Sequence, residues 1–94
     1  MQFLIQTSRT AEFESRVSPA ALQGEEAQLR HLYATEVVRH IWHRYDRPGA
    51  VMLVEADDGA HAVHSVESLP LVSAGLVTID EVTPLKPYAG FCRT

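Results

Sequence analysis

The apolar positions of this 94-residue chain fall into six groups whose spacing changes between the strand period of two and the helix period near 3.6. Gln2 to Thr7 opens as a short strand, with Phe3 and Ile5 on one face and Leu4 on the other. Ser8 to Val17 is polar and reads as a loop. Ser18-Pro19 then marks a helix start: Ser is a good cap, and Pro suits the first position, where its missing N–H costs nothing. The helix is expected from Pro19 to about Thr35, with Leu22, Leu29, Leu32 and Tyr33 on one stripe. Gly24, in its second turn, costs about 1 kcal/mol against Ala.

Val37 to Tyr45 alternates as a strand. Val37, Arg39, Ile41, His43 and Tyr45 share one face, and Val38, His40, Trp42 and Arg44 the other. Asp46-Arg47-Pro48-Gly49 is a turn, and Ala50 to Ala56 is an apolar strand, so the two form an antiparallel hairpin. Asp57-Asp58-Gly59 offers a cap for a second helix over Ala60 to Leu69, with Val63, Val66 and Leu69 inward and Pro70 disturbing its end. Leu76 to Val82 is the last strand, and residues 83–94 form an extended tail in which Pro84 and Pro87 exclude helix.

The order βαββαβ predicts a single α+β domain over residues 1–94, of the ferredoxin-like type. It has a four-stranded antiparallel sheet with both helices on one face. The other face is too apolar to stand in water, so a second sheet is expected to cover it. Two copies packed this way make a dimeric α+β barrel.

Size and charge narrow the function. A chain of 10.4 kDa buries about 64% of its open-chain surface on folding, which supports a core but leaves little interior for a ligand. A small-molecule site is therefore shallow, or closed by a second subunit. Lys+Arg 8 against Asp+Glu 12 gives −4, all of it in residues 48–94, and no polybasic stretch exists. Neither nucleic acid nor anionic membrane is an expected partner. The start of the chain lacks the apolar core of a signal peptide, and the lone Cys92 can form no internal disulfide. Both features point to the cytoplasm.

Glu25 is the most informative polar residue. At about 100° per residue from Leu22, Leu29 lies near 340°, Leu32 near 280° and Tyr33 near 20°, while Glu25 falls near 300°. Glu26, near 40°, flanks the stripe on its other side. A carboxyl on an apolar stripe loses water, its pKa rises, and it becomes a usable proton carrier near neutrality. The alternative is a carboxylate that reaches the stripe's edge or pairs with Arg39. The segment Arg39-His40-Ile41-Trp42-His43 is the second polar concentration. Arg39, His40, Trp42 and His43 are candidates for contact with a carboxylate or carbonyl ligand, or else structural groups that satisfy one another. His61 and His64 are three residues apart, but no third ligand is specified, so no metal is expected. No Gly-rich phosphate loop or nucleophile elbow is present, and Cys92 has no partner that would activate it.

With these elements placed, the chain resembles the muconolactone Δ-isomerase family. The likeness is carried by the MQFLI strand, the glutamate-bearing first helix, Arg39-His40-Ile41-Trp42, and Ser68-Leu69-Pro70-Leu71. The tail from Val82 to Phe91 is similar to that of a subgroup of relatives. The resemblance implies a ferredoxin-like dimer, often built into larger rings, and chemistry without a cofactor. In it a carboxylate moves a proton across an unsaturated lactone, and dehalogenating relatives expel chloride. The family's helix glutamate precedes its Arg-His-Leu-Trp segment by fourteen residues, the interval from Glu25 to Arg39. The chain departs from the pattern at Pro48, where the isomerases carry a tyrosine, and between Val72 and Asp80, which holds about three extra residues.

The expected function is a cofactor-independent isomerase, or related lyase, acting on a small unsaturated lactone or enolisable carbonyl compound. Glu25 carries the proton, and Arg39, His43 or His40 stabilises the enolate-like charge. Two other classes fit the same fold: a cofactor-free monooxygenase or polyketide aromatase/cyclase, and a non-catalytic small-molecule-binding or assembly module.

Overall fold

A computed structural model describes residues 1–91. Cys92 lies outside the described residues, as does the end of the tail. The chain runs β1 (Gln2–Arg9), α1 (Phe13–Arg16), α2 (Pro19–Ala34), β2 (Val38–His43), β3 (Ala50–Glu55), α3 (Gly59–Glu67), α4 (Pro70–Ser73) and β4 (Val77–Leu85). The strands form one antiparallel sheet in the order β2-β3-β1-β4. With helices on one face of it, the architecture is the α+β, ferredoxin-like one. Phe3 and Ile5 of β1 and Met52 and Val54 of β3 pack there against Leu32, Ala62, Val66 and Leu69. Among the described residues no helix is long and apolar enough to cross a membrane.

The helix starts follow the capping chemistry. Ser18 Oγ accepts the Ala21 N–H at 3.1 Å, and Asp58 Oδ1 accepts the His61 N–H at 2.8 Å. Pro70 does more than end α3: it occupies the first position of a new short helix, α4. The polar segment after β1 is not all loop. Phe13 is 6% exposed and nucleates α1 by packing against Leu71 and Leu76, from the far end of the chain. β4 also runs on to Leu85, so the tail begins at Lys86 and not at Thr83. Pro84 pairs with Phe3 because β4 is an edge strand, where a missing N–H leaves no ladder bond unmade.

A bulge in β2 resets the expected alternation. Val38 pairs with Val54 and His40 with Leu53, which leaves Arg39 as the extra residue. Beyond it, Ile41 and His43 face Met52 and Ala50 on the helix-covered side, whereas His40 and Trp42 face Leu53 and Val51 on the open side. Val38, opposite buried Val54, and His40, opposite Leu53, therefore do not share a face, contrary to the regular-strand reading.

The β2–β3 turn presses directly on β1. A Cβ on Gly49 would overlap the Thr7 carbonyl oxygen and come within 2.9 Å of Ser8 Cα, and its φ of 153° is one that side chains avoid. Only glycine permits that approach. Gly49→Ala is expected to cost ~2–3 kcal/mol through forced separation of the strands, measurable by urea denaturation. An unchanged midpoint would show that the turn relaxes freely.

Candidate active site

A cavity of about 370 Å³ opens at the end of the sheet where β1 finishes and the hairpin turns. Its walls are α2, the ends of β1, β2 and β3, the start of β4, and the short helices α1 and α4. Most of the lining is apolar, including Phe13, Leu29, Ile41, Met52 and Leu71. That size suits a small organic ligand.

Glu25 enters from the helical wall. Tyr33 is 67% exposed and Leu22 42%, so the buried arc of α2 is narrower than the sequence suggests. It runs through Leu29 and Leu32, with Glu25 between them. Glu25 Oε1 accepts the Leu71 N–H at 3.0 Å. The reason is local. Leu69 caps α4 without a side-chain acceptor, and Pro70 has no N–H, so Leu71 carries the first open donor. Gln28 Nε2 donates to Ser68 Oγ at 3.0 Å one turn further along, clasping α2 to the same corner. Burial pushes the Glu25 pKa above the usual carboxylate value, and the Leu71 N–H pulls it back only partly. Oε2 has no donor among the described residues.

His43 enters from the sheet wall, opposite Ala50 in the hairpin. Trp42 borders the cavity, but its cross-strand register sets its side chain beside His40 on the open face, with ring centroids 4.1 Å apart. His40 instead edges a shallow groove with Leu29, Arg30 and Tyr33. Arg39 is exposed in the bulge and lines neither. The fold thus brings Glu25, His43 and the edge of Trp42 together, and leaves Arg39 and His40 outside. Glu26 stands at the rim, 3.9 Å from Arg30. His61 Nδ1 accepts the Asp57 N–H at 3.2 Å, and among the described residues no three His, Cys, Asp or Glu converge on one point.

Two wall residues, Thr7 and Arg9, and one behind the wall, Arg44, were not read from the sequence. Thr7 is buried, and its Oγ1 accepts the Ala50 N–H at 3.2 Å and donates to the Ala50 carbonyl at 3.4 Å. Arg9 continues the inward parity of Phe3, Ile5 and Thr7, a signal lost when the strand was ended at Thr7. Arg44 leaves 9% of its side chain exposed and braces the hairpin. Its Nε and Nη2 donate to Asp46 at 3.0 and 2.8 Å, and its Nη1 to Asp80 at 3.1 Å and the Thr7 carbonyl at 3.2 Å. Hydrogen bonding to Arg44 holds the Asp46 carboxyl below its usual range, and the same bonds raise Arg44.

The Glu25 shift has a stability consequence. Because its folded pKa is raised, its contribution is full below the ordinary carboxylate value and is lost as pH climbs through the folded value. Glu25→Gln keeps an oxygen for the Leu71 N–H and carries no charge. Thermal melts are expected to show the variant more stable than the wild type near about pH 7.5, with the gap closing by about pH 4. A wild-type advantage that grows with pH would contradict the burial argument.

No family model matches the chain, and no curated protein matches it either. Solved structures do. One is muconolactone isomerase, determined at 3.3 Å: TM-score 0.75, 16% identity, covering 100% of this chain and 97% of that one. Another is 5-chloro-2-hydroxyhydroquinone dehydrochlorinase (TftG) from Burkholderia phenoliruptrix AC1100, in complex with 2,5-dihydroxybenzoquinone. It gives a TM-score of 0.70 and 22% identity, covering 92% of this chain and 94% of that one. What the three share at such identities is backbone architecture, and this chain has the muconolactone isomerase-like fold.

Proposed function

We propose that the chain is a cofactor-independent enzyme that moves a proton on a small unsaturated lactone or enolisable carbonyl compound. One observation carries this reading: a half-buried carboxylate, anchored at one oxygen by a backbone N–H, borders an apolar cavity that suits a small organic molecule. The anchored oxygen fixes the orientation of the group, and the other is left to meet a C–H bond. Burial makes the carboxylate a stronger base than one in water.

In the forward step the Glu25 carboxylate takes a proton from carbon next to the carbonyl. The C–H electrons move into the conjugated system as an enolate. Glu25, now protonated, returns the proton further along, and the double bond shifts with no net oxidation. His43, on the facing wall, is placed to stabilise the enolate oxygen or donate to it, the role the sequence divided among Arg39, His40 and His43. If the acidic carbon neighbours one bearing chlorine, the same electrons form a double bond and chloride leaves. The structural likeness to a dehydrochlorinase favours including this lyase variant.

Incubating candidate lactones and chlorinated hydroxyquinols with the protein in deuterated water tests the reading. Wild type is expected to incorporate deuterium at the acidic carbon, and Glu25→Gln to lose about 10²- to 10⁴-fold in rate. The wild-type kcat/KM should rise with pH through a value above the ordinary carboxylate range, because the base must be ionised. Deuterium exchange untouched by the substitution removes Glu25 as the base.

We also propose that the functional unit is a homodimer closed through the open sheet face. Leu4, Val51, Leu53 and Trp42 lie on that face. The single chain exposes 6472 Å², against roughly 5,400 Å² for a compact monomer of this mass. Light scattering should give twice the chain mass, and Leu53→Glu should halve it. A wild-type monomer at micromolar concentration contradicts the proposal.

A further inference from the structure

Three arginines stand at the end of the sheet that holds the cavity; Arg47, in the turn, is largely exposed beside Asp46, and the other two differ in what their guanidinium groups touch. Arg44 is nearly buried and donates to Asp46, Asp80 and the Thr7 carbonyl, so its bonding capacity is spent on the hairpin. Arg9 lines the cavity, and among the described residues no acceptor lies within hydrogen-bonding distance of its guanidinium. Its nearest carboxylate, Glu14, is 3.7 Å away and almost wholly in solvent. The Arg9 side chain is itself 44% exposed, but it is not loose. Its guanidinium carbon sits 4.0 Å from the centroid of the Phe13 ring, and Phe13 is buried against Leu71. The backbone beneath it is pinned as well, by the Arg9 N–H to the Pro48 carbonyl at 3.3 Å.

The result is a planar cation stacked on a fixed ring, with unused donors, at the edge of an apolar cavity. Among the described residues that line the cavity it is the one permanently cationic side chain, standing at the end of β1, whereas Glu25 and Glu26 come from α2. That polarity sorts a ligand. A negatively charged oxygen is repelled by the α2 wall and drawn to the β1 end, which leaves the acidic carbon toward Glu25. Stacking holds the guanidinium fork in one plane, so less is lost when it grips two oxygens at once.

We propose that Arg9 is the anion-binding residue of this cavity, receiving either a carboxylate that the substrate carries or the enolate oxygen formed on it. This deepens the proton-transfer reading and rests on the cavity being the reaction site, but its test does not need turnover. Three probes are titrated into ¹⁵N-labelled protein: benzoate for a carboxylate, ionised 1,3-cyclohexanedione for an enolate, and benzyl alcohol as the uncharged control. At least one anion is expected to bind with a shift of the Arg9 Nε–H resonance, about tenfold more weakly in Arg9→Gln and with part of the affinity kept in Arg9→Lys. Benzyl alcohol should not distinguish the variants. Preference for benzoate assigns the contact to a substrate carboxylate, and preference for the dione to the enolate. Glu25→Gln should bind the anion as well as wild type or better, since it removes a repelling charge, so lost turnover there and lost binding at Arg9 separate the two ideas. Backbone amide spectra of both Arg9 variants check that they fold. Anion affinity equal in wild type and Arg9→Gln, or no anion bound at all, overturns the assignment.

Discussion

A single hydrogen bond, from the Leu71 amide to Glu25, joins the three parts on which this site depends. It gives α4 the acceptor that Leu69 does not provide, and it attaches the corner between α3 and α4 to the face of α2. It also holds a carboxylate where much of its water has been removed. Two opposed effects act on that group. Loss of water favours the neutral acid, and the amide favours the anion; the first is larger, so the pKa stands above the ordinary value. A stronger set of donors would have made a stable carboxylate and a poor base.

The remaining polar residues near the cavity divide between holding the wall and leaving capacity open. Arg44, Asp46, Asp80 and Thr7 satisfy one another and keep the hairpin against β1, with Gly49 permitting the close approach. Glu25 Oε2 and the Arg9 guanidinium have no hydrogen-bond partner among the described residues, and Arg9 keeps only a 3.7 Å contact with exposed Glu14. Groups fully used by the fold cannot recognise a ligand without breaking it, whereas unfilled ones at the rim of an apolar cavity can. The chemistry therefore concentrates on residues that the packing has oriented without saturating.

The fold was legible because its signals are local. Ser18-Pro19 and Asp58 announce their helices by capping chemistry, and the strand periods set the βαββαβ order. Glu25 was legible for the same reason: its place on the apolar face of α2 follows from helical spacing. What was hidden depends on residues far apart in the chain. Phe13 is a core residue only because Leu71 and Leu76 reach it, so the segment before α2 looked like loop. The bulge at Arg39 is set by pairing with β3, and strand alternation alone put Val38 and His40 on one face, which the pairing separates. Arg9 was missed by a boundary drawn two residues short, and Arg44 by its dependence on Asp80, thirty-six residues away.

Architecture of this kind is shared by an isomerase and a dehydrochlorinase, so the backbone alone does not choose a reaction. The choice rests on the state of the Glu25 carboxyl, and its ¹³Cδ resonance reports that state directly. Titrating protein labelled at glutamate side chains, with Glu25→Gln to assign the signal, should show the Glu25 carboxyl deprotonating at higher pH than the exposed glutamates. A Glu25 resonance that titrates together with the exposed glutamates would mean that the cavity does not perturb it, and the account of proton transfer would fail.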